Sequence, residues 1–287
     1  MTASTQTKTI HEFLAEAPDV DRSELWGKLW GILSEAKDKI TAELDVKPYP
    51  SGAGLEYWTS EDGGYEGSLN PYVGDPDNGV EWLVHSWIGN RKASILDMNL
   101  QVWLGPHIDV PHLVLVFGTV PNVFHFSDVV PRRDPMVDID YLNRYFEPEN
   151  SSWLDLRGDD RFIWSVSHGT YMRAFNSPIA NSYMANCDHD VAVEVFGEAV
   201  HHRVDTWLQW VRDAQPVPVE ERAGLRERDH LVRRYGYTMD PMNELSKKFL
   251  GAERVDELVS VRAGLDQIAA MEAQNAAQNA AQKAAQR

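Results

Sequence analysis

The sequence predicts an α+β fold in which helices accompany an antiparallel sheet. Residues 80–175 contain five segments that are rich in β-branched and aromatic residues or alternate in polarity. Short turns such as TVPN join neighbouring segments, and this favours antiparallel pairing over β-α-β units. Segments with apolar residues at helical spacing lie before and after this region.

The first predicted element is a helix that begins at Asp21 or Ser23, two residue types that commonly begin helices. Apolar residues follow at helical spacing and predict one inward face: Leu25, Leu29, Ile32, Leu33, Ala36 and Ile40. Trp26 and Trp30 lie four residues apart and form a second ridge, which we interpret as core or interface.

The predicted sheet follows a region of turns. Residues 47–79 are crowded with Gly, Pro, Asn and Asp, and they predict turns between short strands. The five strand segments after them are VEWLVHSWIG, ASILDMNLQVWLG, HLVLVFG, NVFHFSDVV and RFIWSVSHGTYMRAF.

Helices are predicted within and after this sheet. DIDYLNRYF follows a candidate cap at Asp138 or Asp140, and DVAVEVFGEAVHHRVDTWLQWVRDA is long and amphipathic. VPVEERAGLRERDHLVRRYG predicts a charged helix, and NELSKKFLGAERVDELVSVRAGL a pair of helical pieces. No linker separates sheet from helices, so we predict one domain over residues 1–268. The Ala/Gln-rich residues 269–287 predict a mobile tail or frayed helix.

Composition narrows the function classes. The formal net charge of -17 argues against binding to nucleic acid or an anionic membrane. The single cysteine, Cys187, excludes an intrachain disulfide and cysteine-rich metal sites. The chain shows no secretory signal and no run of about 20 apolar residues that could span a bilayer. We therefore expect a cytoplasmic protein.

The stretch GPHIDVPHLVLVFG places titratable groups at the start of a predicted core strand. His112, Val114 and Val116 share one face of that strand, and this face can form the floor of an apolar pocket. His107, Asp109 and His112, with His168 further along, resemble the ligands of non-haem iron oxygenases. Turn formation and hydrogen bonding explain the same residues, so both interpretations stay open. Motifs for nucleotide binding or common hydrolases are absent from the sequence.

Five blocks in register carry a family resemblance: VEWLVHSWIG, VPHLVLVFG, VPRRDPMVDIDYLNRYF, MRAFNSP and RERDHLVRRYGYTMDPMNELSKKFLG. From about residue 80 to 260 the chain resembles red chlorophyll catabolite reductase and, more distantly, the ferredoxin-dependent bilin reductases. The resemblance implies an α/β/α sandwich with a linear tetrapyrrole between the sheet and the C-terminal helices. It implies no tightly bound cofactor: reduced ferredoxin supplies single electrons and acidic side chains supply protons.

The resemblance also implies site residues. Asp240 falls on the family's C-terminal pocket aspartate, and we predict it to be catalytic together with His112. The predicted substrate-binding residues are Asp109, Val114, Val116, His125, Arg173, Ser177 and Asn243. Val116 departs from the bilin reductases, which carry an acidic residue midway along this strand. Valine can neither donate a proton nor stabilise a charged intermediate.

This departure leaves other functions open. The first alternative is an oxygen-using enzyme, either cofactor-free or with iron held by some of His107, Asp109, His112 and His168. The second is a binding protein without catalysis. For the reductase, an acidic ferredoxin requires grouped basic residues on this acidic chain. The candidates are Arg132, Arg133, Arg226, Arg228, Arg233, Arg234, Lys247 and Lys248. An equally good explanation is that these residues are solvated surface charges paired with nearby Asp and Glu.

Overall fold

One sheet organises the structure. The computed structural model describes residues 7–9, 12, 21–51, 54–77, 79–120 and 122–285. Within these residues the sheet contains ten strands. They are β1 (Thr7–Thr9), β2 (Val46–Pro48), β3 (Trp58–Thr59), β4 (Glu66–Gly74), β5 (Val80–Asn90), β6 (Ile95–Leu104), β7 (His112–Thr119), β8 (Val123–Val130), β9 (Phe162–Val166) and β10 (Asn181–Ala185).

The strand order confirms the predicted antiparallel sheet. It runs β1-β9-β10-β8-β7-β6-β5-β4-β2, and β3 pairs with β4 beside this path. The described pairings are antiparallel except for β1 with β9 at one edge, which is parallel. From β4 to β8 each strand pairs with the next along the chain, as the short connections predict.

The helices of the described chain lie between and after the strands. They are α1 (Ser23–Glu43), α2 (Ile139–Tyr145), α3 (Asn150–Gly158), α4 (Thr170–Phe175), α5 (His189–Asp213), α6 (Val219–Thr238), α7 (Met242–Leu250), α8 (Ala252–Ala263) and α9 (Leu265–Ala285), with a short 3-10 turn at Glu147–Glu149. The predicted domain limit at residue 268 and the mobility of the tail stay predictions.

Start signals read from the sequence occur where the helices begin. The Asp21 carboxylate accepts hydrogen bonds from the backbone N–H and hydroxyl of Ser23 at the start of α1. Of the two candidate caps for α2, the structure selects Asp138, whose side chain accepts from the Tyr141 N–H at 3.0 Å. One predicted strand segment is wrong in its second half. RFIWSVSHGTYMRAF forms β9 and then α4, in which Met172 and Phe175 are three residues apart and lie on one helical face.

The first face of the sheet carries the main core. On β7 the side chains of Leu113, Leu115 and Phe117 point to this face, where α1 and α5 cover them. Five of the six residues of the predicted inward face of α1 are buried, with Leu29 and Leu33 fully inaccessible, and Ile32 is half-buried against the same core. Trp26 is buried too, and its ring N–H donates to the Thr119 hydroxyl at 2.9 Å. Residues from both helices and the sheet therefore form one continuous core.

The second face is covered by α6 to α9. A smaller cluster there joins the sheet to these helices through Trp82, Trp103, Tyr237 and Ala263. The Trp82 ring N–H donates to the carbonyl oxygen of Arg262 at 2.9 Å, which fixes the end of α8 against β5. Helices thus cover both faces of the sheet, and on the second face they leave a cavity.

Candidate active site

A cavity of about 640 Å³ lies between the second face of the sheet and helices α4, α6, α7 and α8. Cavity-facing residues of β4 to β10 form one wall and the helices form the other. The lining is mainly apolar, and its aromatic side chains include Trp58, Trp103, Phe124, Phe126, Phe175 and Phe249. Aromatic rings of this kind suit a flat conjugated ligand, because they offer large apolar faces for stacking.

Asp240 lies in the wall of this cavity, in the loop between α6 and α7. One carboxylate oxygen, Oδ1, accepts a hydrogen bond from the Met242 N–H at 2.9 Å, so the residue also caps α7. Burial raises the pKa of this carboxyl above its ordinary value, although the Met242 hydrogen bond and the nearby Arg262 charge oppose the rise. Asp240 therefore combines a capping contact with a cavity-facing acid.

A row of polar side chains on β6 faces the same cavity, and sequence reasoning missed it. Asp97, Asn99 and Gln101 alternate with apolar residues that point to the main core. Asn99 Nδ2 donates to Asp97 Oδ2 at 2.6 Å, and Gln101 Nε2 donates to Asn99 Oδ1 at 3.1 Å. The Tyr237 hydroxyl on α6 donates to Gln101 Oε1. The floor of the cavity thus carries a chain of hydrogen bonds that ends on a carboxylate.

Arg262 brings a positive charge to this group from α8. Its guanidinium lies over the Tyr237 ring, 5.6 Å from the centroid, and its Nη1 is 4.0 Å from Asp97 Oδ2. Burial raises the pKa of Asp97, while Arg262 and the Asn99 hydrogen bond favour the charged form. Asp97 and Asp240 are the two carboxylic acids among the described residues that line the cavity.

Five predicted substrate-binding residues also line the cavity. Val114 and Val116 form part of its floor, as the alternation along β7 predicts. Arg173 projects from α4, and its guanidinium donates to the Ser167 carbonyl at 2.6 Å. Ser177 rests on the buried Asp128, to whose carboxylate its hydroxyl donates, and Asn243 donates to the Tyr237 carbonyl at 2.7 Å. Their role in binding a ligand stays a prediction.

The family model of red chlorophyll catabolite reductase (RCC reductase) matches residues 29–261. The chain belongs to the red chlorophyll catabolite reductase family. The match covers most of α1, nearly all of the sheet and most of the helices around the cavity, and it confirms the resemblance of the sequence blocks. The protein is an oxidoreductase of this tetrapyrrole-reducing family, as predicted.

A solved structure shares the fold. Phytochromobilin synthase from tomato, determined in complex with biliverdin, superposes with a TM-score of 0.70 at 16% identity, over 81% of this chain and 82% of that chain. This likeness confirms the predicted α/β/α sandwich. No curated protein matches the sequence. In the described part of the chain, none of the helices has the length and apolarity needed to cross a membrane.

In this member of the RCC reductase family, His112 is not a cavity residue. It is fully buried, and the Trp103 ring packs against it with centroids 4.6 Å apart. Its Nδ1 accepts from the Leu104 N–H at 3.0 Å, so a neutral ring carries its proton on Nε2, which lies 3.2 Å from Asp229. Burial lowers the pKa of His112 to about 4. The prediction of His112 as a catalytic proton donor is therefore wrong, because the ring is neutral at pH 7 and covered.

Two predicted substrate-binding residues lie elsewhere. Asp109 lies in the segment before β7, where its carboxylate accepts a hydrogen bond from Arg133 Nε at 2.7 Å. His125 points to the main core, and its ring packs between Phe117 and Phe196. Since side chains alternate along β8, the cavity receives the residues on either side of His125 instead. Both predictions are wrong in position.

The alternative iron site is not assembled. In the described residues, no group of three or more His, Cys, Asp or Glu side chains is arranged to hold a metal ion. Asp109 is paired with Arg133 and His112 with Asp229, and His168 is exposed near α4. The His-x-Asp-x-x-His spacing therefore reflects local structure at the start of β7.

The predicted ferredoxin-docking set also needs correction. Arg132 and Arg233 are each 1% exposed, so neither can contact a protein partner. Arg133 binds Asp109 and Glu221, and Arg234 binds Glu272 at 2.9 Å. The prediction is wrong for the two buried arginines; for the others, docking stays a prediction.

Proposed function

We propose that this protein reduces a linear tetrapyrrole bound in the cavity, using single electrons from a ferredoxin and a proton from Asp240. The observation that carries the proposal is an acid with a raised pKa in the wall of a large, mainly apolar cavity that contains aromatic side chains. A volume of about 640 Å³ lies within the range of roughly 300–1,000 Å³ typical of small-molecule sites.

The residues around the cavity fit the parts of such a substrate. The aromatic walls would stack on pyrrole rings, and the guanidinium of Arg173 would bind a carboxylate side chain. The Ser177 hydroxyl and the Asn243 amide offer polar contacts at the edge. Val116 leaves the centre of the floor apolar, so proton transfer falls to acids on other elements.

Asp240 has the properties of a general acid. A carboxyl whose pKa lies above its ordinary value keeps its proton closer to neutral pH, which favours donation to a reduced substrate. The cap on α7 uses Oδ1, so Oδ2 is the oxygen available to the cavity. The Met242 hydrogen bond also fixes the orientation of the carboxyl.

The test measures binding and turnover separately. Biliverdin and red chlorophyll catabolite are each mixed with the protein, and a shifted absorption band reports binding; reduced ferredoxin is then added under anaerobic conditions. Asp240→Asn should retain the cap and the fold but lower turnover at least about tenfold. Asp213→Asn, an exposed acid at the end of α5, removes the same charge outside the cavity and should leave turnover unchanged.

Three results would contradict the proposal. Absence of any spectral change with either tetrapyrrole would exclude the substrate class. Tight binding without turnover would indicate a carrier protein. Unchanged kinetics in a folded Asp240→Asn variant would leave Asp240 with its capping role alone.

A further inference from the structure

Asp97 is the acid of the cavity that the proposed function has not yet used. It lies on β6 and faces the cavity, and its cross-strand partner on β7 is Gly118, which has no side chain to cover it. The Asp97 side chain keeps 43% of its surface accessible because the cavity that encloses it admits solvent. A ligand in the cavity can therefore reach this carboxyl.

The hydrogen bonds around Asp97 leave one oxygen available. Asn99 Nδ2 donates to Oδ2, and Arg262 Nη1 is closest to the same oxygen. Oδ1 has no hydrogen-bond partner among the described residues. The chain from Tyr237 through Gln101 and Asn99 holds the carboxyl in place, since each member donates toward Asp97. Asp97 is thus held at one oxygen and open at the other.

Charge couples Asp97 to Asp240. The negative charge of Asp97 raises the pKa of Asp240, and the Arg262 guanidinium lowers the pKa of both carboxyl groups. The other charged or titratable groups of the cavity wall are Arg173, Tyr237 and Tyr65. One guanidinium can compensate one carboxylate at this end of the cavity, so the pair of acids retains a proton more readily than separate surface acids do.

The stoichiometry of the reaction gives the second acid a role. Reduction of one carbon–carbon double bond forms two C–H bonds and consumes two electrons and two protons. Two reduced ferredoxin molecules supply the electrons and are each oxidised by one electron. We propose that Asp97 is the second proton donor of the cavity and acts together with Asp240, which lines the same cavity. Each carboxylic acid becomes a carboxylate on donation and regains its proton from solvent.

This inference rests on the proposed function and is tested with Asp97→Asn. The variant keeps the size and hydrogen-bonding capacity of the side chain but loses its ionisable proton. Biliverdin should bind with a Kd within about threefold of wild type, and turnover with reduced ferredoxin should fall at least about tenfold. In a single turnover, a one-electron-reduced bilin should accumulate in the variant and be detected by electron paramagnetic resonance. Asp97→Glu should recover part of the rate.

Two further measurements separate a proton donor from a structural residue. The pH profile of kcat should lose one ionisation in Asp97→Asn, whereas Asp213→Asn, an exposed acid at the end of α5, should keep the wild-type profile. In infrared spectra of the ligand-free protein recorded at one pH, the carbonyl band of protonated carboxyl groups should be weaker in Asp97→Asn and in Asp240→Asn than in wild type.

The outcomes distinguish this inference from the proposed function. If the wild type reduces no linear tetrapyrrole, the proposed function fails and the assignment of Asp97 fails with it. If the wild type is active and Asp97→Asn has the same rate, pH profile and infrared band, the assignment alone is refuted. Circular dichroism of each variant checks that the fold is retained.

Discussion

The ion pair between Asp229 and Arg132 leads to a quantitative prediction for Asp229→Asn. Asp229 on α6 is 6% exposed and accepts from Arg132 Nε at 3.0 Å and Nη2 at 2.6 Å. Arg132 also donates to the carbonyls of Ile108 and Gly105, so it joins α6 to the segment before β7. His112 Nε2 lies 3.2 Å from the same carboxylate. This network anchors α6, one wall of the cavity, to the sheet.

The pKa of Asp229 gives a lower limit for the loss of folding stability in Asp229→Asn. Burial alone would raise this pKa, but Arg132 and His112 overcome it and lower the pKa from 3.8 to about 2. At about 1.4 kcal/mol per pKa unit, the difference corresponds to roughly 2–3 kcal/mol of stability. Removing one charge also leaves Arg132 buried without a counter-ion, a change that typically costs about 3–5 kcal/mol. We expect Asp229→Asn to lower the free energy of unfolding by about 3–5 kcal/mol at pH 7.

Urea unfolding at several pH values tests this prediction. The folded state holds Asp229 ionised at lower pH than the unfolded chain does. The pair therefore stabilises the fold fully above about pH 4, and this stability is lost as the pH falls toward about 2. Asp229→Asn should lack this part of the pH dependence, and Asp213→Asn should keep it. A loss below about 1 kcal/mol at pH 7 would refute the reasoning, since a pair of that strength is typical of the surface.

Two further substitutions test the core. Neither ring nitrogen of His125 makes a hydrogen bond of good geometry, and burial lowers its pKa from 6.5 to about 3. Wild type should lose stability as the pH falls below about 6.5, because the unfolded chain then binds a proton that the folded chain does not. Urea unfolding measures how far the free energy of unfolding falls between pH 7 and pH 4. In His125→Phe this fall should be smaller than in wild type by about 3 kcal/mol, and an equal fall in both proteins would contradict the prediction. A Cβ at Gly105 would lie 1.7 Å from the Pro76 carbonyl oxygen. Gly105→Ala should therefore lower the free energy of unfolding by at least about 3 kcal/mol. A thermal midpoint within about 2 °C of wild type would disprove the clash.

Elements with a strong period could be predicted from sequence. The inward face of α1 and the strands β5 to β8 follow from spacing, alternation and short connections, because these signals are local. The helix α3 was not predicted, since it has no fully buried residue and thus no clear apolar face. The strand β10 is short, at five residues, and is defined by its pairing with β8 and β9. Such elements depend on tertiary contacts that a sequence pattern does not contain.

The site could be predicted where family resemblance and alternation agreed. Asp240, Val114 and Val116 line the cavity, whereas His125 does not. On β8 both faces carry apolar residues, so the pattern does not reveal which face meets the ligand. The direction of His125 depends on the register with β7, where it pairs with Phe117, and that register is a tertiary property.

The acid on β6 could have been found from the sequence by a different argument. Asp97, Asn99 and Gln101 alternate with apolar residues, a pattern that usually predicts a strand with one solvated face. A sandwich with helices on both faces leaves an interior strand no such face, and burying three polar side chains without partners is unfavourable. A half-polar interior strand therefore requires a polar cavity beside it. The cavity floor thus has an acid on β6 and none on β7, where Val116 lies, and this position is the basis for the proposed role of Asp97.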